Sequence, residues 1–190
     1  MKNRFSGIKV VMGLGNPESG YKNTYHNAGK LLVDYLSEKL VSAGETKTIN
    51  FRKKSSGDFE SRVSNGLSLV KPVNYMNENG KAAKAALKYF GAKPDSLLAA
   101  HDDSDIEIGK YKISFGSGPA GHNGVRSVID SIGTKDFWRL RIGIRKKETR
   151  NERQQARMKA IDFVLKKITV KDKELMNSVF DAAIKEIFGE

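Results

Sequence analysis

A short apolar strand followed directly by a glycine-containing turn constrains the fold of this chain more than any other feature. The run from Ile8 to Met12 is apolar and rich in β-branched residues, and it ends at Gly13-Leu14-Gly15-Asn16-Pro17. This pattern is typical of a buried strand closed by a turn. Apolar residues then recur at near-helical spacing from Ala28 to Val41, before Gly44, which predicts an amphipathic helix. The first part of the chain therefore contains a βα unit.

The rest of the chain continues to alternate between strand and helix patterns. Asn65-Gly66 separates two strand-like runs, 59–64 and 67–70, and predicts a β-hairpin. Asn77 is placed to cap a helix that ends at Gly91. Further along, the sequence predicts a strand 97–100 ending at His101-Asp102, a strand 111–115, a glycine-rich loop 116–124, a helix 125–132, a strand 140–144 and a helix 170–188. This order predicts a mixed α/β sandwich, and 190 residues suit a single domain.

The charge of the chain points to an anionic partner. The chain has 34 Lys and Arg against 22 Asp and Glu, a net charge of +12. Such an excess favours nucleic acid or an acidic membrane surface as the partner. Nine Lys or Arg and two acidic residues fall between Arg139 and Lys159. This basic tract predicts phosphate contacts, with a solvated face as the alternative.

Several classes of protein are excluded by composition. The chain has no cysteine, which removes disulfides, thiolate nucleophiles and cysteine-based metal centres. It has no apolar run of membrane-spanning length, and the segment 1–7 lacks the apolar core of a secretory signal. We therefore expect a soluble intracellular protein, cytoplasmic or in the mitochondrial matrix.

The three histidines are the candidate proton-transfer groups. His26, His101 and His122 each lie beside a predicted loop or at the end of an element, where side chains reach clefts. A histidine titrates near neutrality, and a carboxylate on its other ring nitrogen would fix its tautomer. Asp102 or Asp103 would supply that carboxylate. The alternative is that each histidine is a surface residue or a hydrogen-bonded core residue.

Other site chemistries have less support. The histidines form no short ligand pair on one element, so we expect no metal. No Gly-x-Ser-x-Gly elbow is present. The segment 116–121 matches the Gly-x-Gly-x-x-Gly dinucleotide pattern, but Pro119 lies inside its turn and no acidic residue ends a following buried strand. We expect no cofactor, and an alternative role for this loop is to bring backbone amides and Asn123 close to a substrate.

Four asparagines fall where a predicted loop meets an element: Asn16, Asn27, Asn77 and Asn123. Capping or turn formation is one interpretation of each. Their number around the histidines favours a polar cleft as well. Carboxamides can bind a peptide-like carbonyl and a developing oxyanion without ionising.

Several motifs, spread over nearly the whole chain, occur in an order that matches a known family. They are Gly13 to Pro17, Tyr21, Thr24-Tyr25-His26-Asn27-Ala28-Gly29, Lys71-Pro72 through Tyr75-Met76-Asn77 with Gly80, His101-Asp102 with Asp105, Gly116 to Gly124, Arg139 to Ile144, and Phe163-Val164-Leu165. In these motifs the sequence closely resembles the bacterial-type peptidyl-tRNA hydrolases.

This resemblance implies a single α/β domain over residues 1–190, with a twisted mixed sheet between helices. It implies hydrolysis of the ester that joins a peptide to the 3′ end of tRNA, with no metal or cofactor. His26 would be the general base that activates water, and Asp102 would orient it. The residues implied to contact the peptide, the ester or the terminal nucleotide are Asn16, Tyr21, Asn27, Tyr75, Met76, Asn77, His122 and Asn123. The partner would be peptidyl-tRNA, and no membrane partner is expected. We also expect the protein to be monomeric.

The sequence departs from the common family pattern in its basic residues. Tyr25 stands before the histidine where arginine is usual, Ala120 replaces a glycine, and Ser114 lies where many members carry lysine. The segment 145–159 is long and basic where the family often has a short turn. We expect tRNA docking to have moved toward this segment, with phosphate contacts from Arg141, Arg145, Lys146, Lys147 and Arg150. The alternative function is a noncatalytic tRNA- or RNA-binding module of the same fold.

Overall fold

A seven-stranded mixed sheet organises the chain. The computed structural model describes residues 4–44, 51–146 and 163–189. Its strands are β1 (Val10–Gly13), β2 (Arg52–Lys53), β3 (Phe59–Ser64), β4 (Leu67–Pro72), β5 (Leu97–Glu107), β6 (Tyr111–Phe115) and β7 (Trp138–Arg145). They lie in the order β2-β3-β4-β1-β5-β7-β6. The four central strands, β4, β1, β5 and β7, are parallel, and antiparallel strands flank them on both sides.

Helices cover both faces of this sheet. In the described part of the chain they are α1 (Ala28–Ser42), α2 (Asn79–Tyr89), α3 (Asn123–Ile132) and α4 (Val170–Phe188). The helices α1 and α4 bury their apolar residues with Leu98 and Ala100 of β5. The helices α2 and α3 pack against the opposite face with Leu97 and Ala99. Because successive strand residues point to opposite faces, β5 contributes to both cores, and the expected α/β sandwich is confirmed.

The local patterns predicted several elements closely. The hairpin of β3 and β4 turns at Asn65 and Gly66, whose φ angles of 46° and 78° are both left-handed. An Asn-Gly pair suits such a turn because these residues tolerate that conformation best. The helix α4 and the strand β6 have the predicted bounds.

Two expectations near the polar loops need correction. The strand β5 does not end at Ala100 but continues to Glu107, because it pairs with β7 at Asp102 and Asp103. Asn77 does not cap α2: it lies in a 3₁₀ turn, Met76–Glu78, and α2 begins at Asn79 without a side-chain cap. The polar side chains of β5 are thus held by a strand ladder rather than by a loop.

Close approach of α1 to the central strands depends on glycine. A Cβ atom on Gly29 would collide with the carbonyl oxygen of Ala100 in β5, and one on Gly13 would collide with the carbonyl oxygen of Gly29. The first turn of α1 therefore rests directly on the end of β1 and on β5 at Ala100. This contact brings the residues that precede α1 next to the polar part of β5.

Among the residues that the structure describes, no helix has the length and apolarity needed to cross a bilayer.

Candidate active site

The predicted site residues gather at the carboxyl ends of the central parallel strands. Asn16 follows β1, the turn Met76–Glu78 follows β4, and Asp102 lies in the part of β5 that extends past β1. Open α/β sheets bind their ligands at this edge, where connections leave toward opposite faces. The fold itself therefore creates a crevice there.

His26 and Asp102 form the central pair of the site. His26 Nδ1 lies 3.0 Å from Asp102 Oδ1 and 3.1 Å from Oδ2. Since a carboxylate only accepts hydrogen bonds, Nδ1 carries the proton and Nε2 keeps its lone pair. The His26 side chain is 17% exposed and that of Asp102 is 4% exposed. A ring held in this way keeps a basic nitrogen at Nε2, in a side chain that is partly accessible to solvent.

The electrostatics of the pair favour the charge that proton transfer creates. Burial lowers the pKa of His26, but the hydrogen bond and the charge of Asp102 outweigh it, so that the net pKa lies above 6.5. Burial would raise the pKa of Asp102, yet its two histidine partners hold it far below its usual range. Asp102 therefore stays ionised and stabilises a protonated His26.

His122 is the second partner of Asp102. Its Nε2 lies 3.0 Å from Asp102 Oδ1, and its Nδ1 accepts a hydrogen bond of 3.2 Å from the backbone N–H of Val125. His122 is thus the N-cap of α3 and carries its proton on Nε2. This geometry makes it a donor to Asp102 and a structural neighbour of the base.

The same geometry bears on metal binding. Ligand atoms of His26, Asp102 and His122 lie within 4.8 Å of one another. A metal on His122 Nε2 would move the ring proton to Nδ1, where it would face the N–H of Val125. Two donors would then oppose each other, so the donor set fits a hydrogen-bonded cluster better than a metal centre.

His101 is buried beneath the cleft residues. It is 1% exposed, and its Nδ1–H donates to the carbonyl oxygen of Asp102 at 2.7 Å. Its ring packs edge-on against His122, with centroids 4.6 Å apart. Burial, together with the neighbouring His122, lowers the pKa of His101 well below 6.5, which keeps the ring neutral. His101 is therefore a hydrogen-bonded residue of the core, which was the alternative interpretation of the histidines.

Asn16 presents a hydrogen-bond donor. Its Oδ1 accepts from the backbone N–H of Met76 at 2.8 Å, which fixes the orientation of the amide. Its Nδ2 has no acceptor within the described ranges. A carboxamide held in this way has its NH₂ group available for a carbonyl oxygen of a substrate.

Asn27 supports the backbone of Asn16. The Asn27 side chain accepts from the backbone N–H of Asn16 at 2.8 Å and donates to its carbonyl oxygen at 3.1 Å. Asn27 is only 3% exposed. Asn27 therefore supports the Asn16 backbone, and its direct contact with substrate stays a prediction.

The other predicted contact residues differ in exposure. Asn77 and Asn123 are exposed, and Tyr21 is half-buried. Tyr75 is 45% exposed and its hydroxyl contacts the Glu18 carboxylate, whereas Met76 is 5% exposed. Met76 packs against Gly124, where any Cβ would collide with its sulfur. This contact joins the loop after β4 to the start of α3.

Two supporting residues have no distinctive signal in the sequence. Asn79 is fully buried and bonds to the loop after β1 and the loop after β4. Asp172, at the start of α4, accepts a hydrogen bond from the hydroxyl of Tyr25. Asn79 resembled an ordinary helix residue and Asp172 an ordinary first-turn acid, so only tertiary contacts identify them.

The basic tract divides into buried and exposed cations. Arg139 is 2% exposed and does not contribute to a cationic surface. Arg141 donates to Asp103 at 2.7 Å, and its side chain is 20% exposed. Arg145 and Lys146 are exposed at the end of β7. The predicted contacts Lys147 and Arg150 lie outside the described residues.

The fold and the site together define an α/β enzyme of the hydrolase class. The sequence profile described as "Peptidyl-tRNA hydrolase" matches residues 10–188. The chain belongs to this family.

Curated relatives and solved structures agree. The chain is 38% identical over 180 residues to a peptidyl-tRNA hydrolase of Marinobacter nauticus, covering 94% of this chain and 86% of that protein. It is 32% identical over 182 residues to one of Desulfitobacterium hafniense, covering 95% and 91%. A crystal structure of peptidyl-tRNA hydrolase from Acinetobacter baumannii matches with a TM-score of 0.76 and 29% identity, over 98% of this chain and 91% of that one. A peptidyl-tRNA hydrolase in complex with N-propanol matches over the same shares with a TM-score of 0.78.

Proposed function

We propose that this protein hydrolyses the ester bond between a peptide and the 3′ end of tRNA, with His26 as the general base and Asp102 as the group that orients it. The observation that carries the assignment is the hydrogen bond from His26 Nδ1 to the buried Asp102 carboxylate, at 3.0 Å. It leaves His26 Nε2 as a base on the cleft side. Family membership supplies the substrate class.

The reaction proceeds through an activated water. His26 Nε2 takes a proton from water while the water oxygen attacks the ester carbonyl, which gives a tetrahedral oxyanion and a protonated His26. The oxyanion then collapses, the bond to the ribose oxygen breaks, and His26 returns its proton to that oxygen. The products are a free peptide acid and a tRNA with its terminal hydroxyl restored. Asp102 stabilises the transient imidazolium.

The carboxamides of the cleft provide donors for the peptide and the oxyanion. Asn16 has a fixed orientation with its NH₂ group available, and Asn77 and Asn123 are exposed at the same edge of the sheet. Neutral donors suit a substrate whose recognised part is the peptide backbone. We therefore expect indifference to peptide side chains and rejection of free aminoacyl-tRNA, which lacks the amide carbonyl.

The decisive experiment compares wild type with His26→Ala and His26→Gln on an N-blocked aminoacyl-tRNA. The glutamine can still donate to Asp102 but cannot act as a base. We expect both variants to lose at least about 10² in rate while circular dichroism shows an unchanged fold. Equal rates would move the base elsewhere. An inactive wild type that binds tRNA tightly would identify a noncatalytic binding module instead.

Exposed cations are proposed to hold the tRNA. Arg145 and Lys146 lie at the end of β7, and Lys147 and Arg150 follow them in the sequence. Contacts with phosphates would orient the tRNA without reading its bases. A monomeric state and a cytoplasmic or mitochondrial location stay predictions, to be checked by light scattering and by imaging of the tagged protein.

A further inference from the structure

Asn79 carries a buried amide that the proposed chemistry does not use. It is the first residue of α2 and is 0% exposed. Its Oδ1 accepts from the backbone N–H of Gly15 at 2.9 Å. Its Nδ2 lies 2.8 Å from the carbonyl oxygen of Tyr75, 3.1 Å from that of Gly15 and 3.2 Å from that of Asn74. Two amide hydrogens thus serve three carbonyl oxygens, which saturates the side chain.

These bonds connect two loops. Gly15 belongs to the loop after β1, and Asn74 and Tyr75 belong to the loop after β4. An asparagine at a helix start usually caps its own helix, yet no side-chain cap is made at the start of α2. The amide instead bridges two loops that enter the cleft from neighbouring parallel strands.

The bridge is adjacent to the proposed peptide-binding group. Gly15 immediately precedes Asn16, and Tyr75 immediately precedes Met76, whose N–H fixes the Asn16 amide at 2.8 Å. Asn79 therefore bonds to Gly15 and Tyr75, the residues that immediately precede the two partners of this hydrogen bond. Asn27 holds the Asn16 backbone from the other side.

We propose that Asn79 is a positioning residue that sets the orientation of the Asn16 carboxamide by locking the two loops together. This inference rests on the proposed function, in which Asn16 binds the substrate. Loss of the Asn79 amide lets the loop after β1 shift against the loop after β4. The Asn16–Met76 hydrogen bond then weakens, and the NH₂ group of Asn16 leaves its productive position.

The test is a double-mutant cycle between Asn79→Ala and Asn16→Ala, assayed on an N-blocked aminoacyl-tRNA. A displacement of about 1 Å can cost about 10² in rate, so we expect Asn79→Ala to lower kcat by about 10- to 100-fold. In the Asn16→Ala background the same change should cost less than about twofold, because coupled residues are not additive. The Kd for deacylated tRNA should not change in any variant.

Ser127→Ala is the matched control. The Ser127 hydroxyl accepts a hydrogen bond from the N–H of Gly80, the residue after Asn79, and among the described residues no hydrogen bond joins it to either loop. We expect this variant to lose some stability and to keep its kcat. Asn79→Ser is the milder variant if Asn79→Ala does not fold, since the serine hydroxyl can keep one of the bonds.

The outcomes separate this proposal from the proposed function. Independent, multiplying losses from Asn79 and Asn16 would overturn the positioning role while leaving the hydrolase assignment intact. So would an Asn79 variant that is less stable but has an unchanged kcat. An inactive wild type would overturn the proposed function itself.

Discussion

The buried phenol of Tyr25 donates a hydrogen bond to the carboxylate of Asp172, which ties the residue before His26 to the first turn of α4. The Tyr25 ring also stacks on Phe163, with centroids 4.5 Å apart. Burial, followed by the hydrogen bond to Asp172 and the charge of Asp172, raises the pKa of Tyr25 to about 12. Tyr25 thus anchors the segment that carries His26 to the C-terminal part of the chain.

Substitution Tyr25→Phe tests this anchor. It keeps the stacking surface but leaves Asp172 without its buried donor, so the free energy of unfolding should fall by about 1–3 kcal/mol in urea denaturation. Tyr111→Phe is the control, because it removes a bond of the same type, 2.9 Å long, to the exposed Glu186. That variant should change stability by less than about 0.5 kcal/mol. Equal losses in the two variants would mean that burial of the Tyr25 bond adds nothing.

The pH dependence of hydrolysis should follow the titration of His26. Only the neutral ring accepts a proton, so kcat/KM should rise with pH through a pKa above 6.5. In Asp102→Asn the carboxylate charge and its hydrogen bond, which raise the pKa of His26, are lost. Burial, which lowers this pKa, is unchanged. The acidic limb should therefore move to lower pH, while kcat falls by about 10²–10⁴. Measured pH–rate profiles of both proteins test the sign of the shift.

The neighbouring carboxylate provides the control for that experiment. Asp103 bonds Arg141 at 2.7 Å and does not contact His26 within the described residues. Asp103→Asn should leave the acidic limb where it is in wild type, even if tRNA binding weakens. An identical shift in both variants would indicate a general effect of charge rather than the specific pair.

The choice between these two carboxylates shows what sequence can and cannot decide. From the residues alone, Asp102 and Asp103 are alternatives as the partner of a histidine. Their side chains would point in different directions in a strand and in a loop, and the sequence does not decide between the two. Since β5 continues through both residues, they point to opposite faces: Asp102 meets His26 ahead of α1, and Asp103 meets Arg141 of β7. Periodicity predicted the strands and helices well, since it records which face of each element is buried.

The supporting residues were less predictable because their partners are distant in the chain. Asn79 bonds Gly15, and Tyr25 bonds Asp172. No local pattern distinguishes a cap from such a bridge, and a charge count cannot tell buried Arg139 from exposed Arg145. Sequence motifs thus identified residues that gather at one edge of the sheet, but not the distant residues that hold them in place.

Neutralising the exposed end of β7 should weaken tRNA binding in a salt-dependent way. Arg145→Ala with Lys146→Ala removes two candidate phosphate contacts, so KM for peptidyl-tRNA should rise and the slope of log affinity against log salt should fall by about 2. The control pair is Lys88→Ala with Lys93→Ala, which removes the same charge near the start of β5, at the opposite edge of the sheet. Equal effects of both pairs would indicate a response to net charge alone. Lys146 lies 3.7 Å from Asp172, so stability is checked in parallel.

Ala120 adopts a left-handed conformation, with φ of 49°, in the loop before α3. A side chain in this region costs about 1–2 kcal/mol, whereas glycine costs about 0.5–1 kcal/mol in backbone entropy. Ala120→Gly should therefore raise the free energy of unfolding by up to about 1 kcal/mol. The same change at Ala85, inside α2, should lower it by about 1 kcal/mol. Calorimetry of the two variants checks the opposite signs, and a destabilised Ala120→Gly would show that the loop is not strained.

Gly29→Ala should damage both the fold and the site. The added Cβ would collide with the carbonyl oxygen of Ala100, so α1 must move away from β5. Overpacking of this kind costs about 1–3 kcal/mol. Because His26 lies just ahead of α1 and Asp102 lies in β5, the same movement lengthens their hydrogen bond, and kcat should fall by up to about 10². Gly7→Ala is the control, since a Cβ there meets no atom within 4 Å. Thermal unfolding and kcat, measured on both variants, should change together for Gly29→Ala and stay near wild type for Gly7→Ala. A fully active, stable Gly29→Ala protein would show that the position of His26 does not depend on this helix contact.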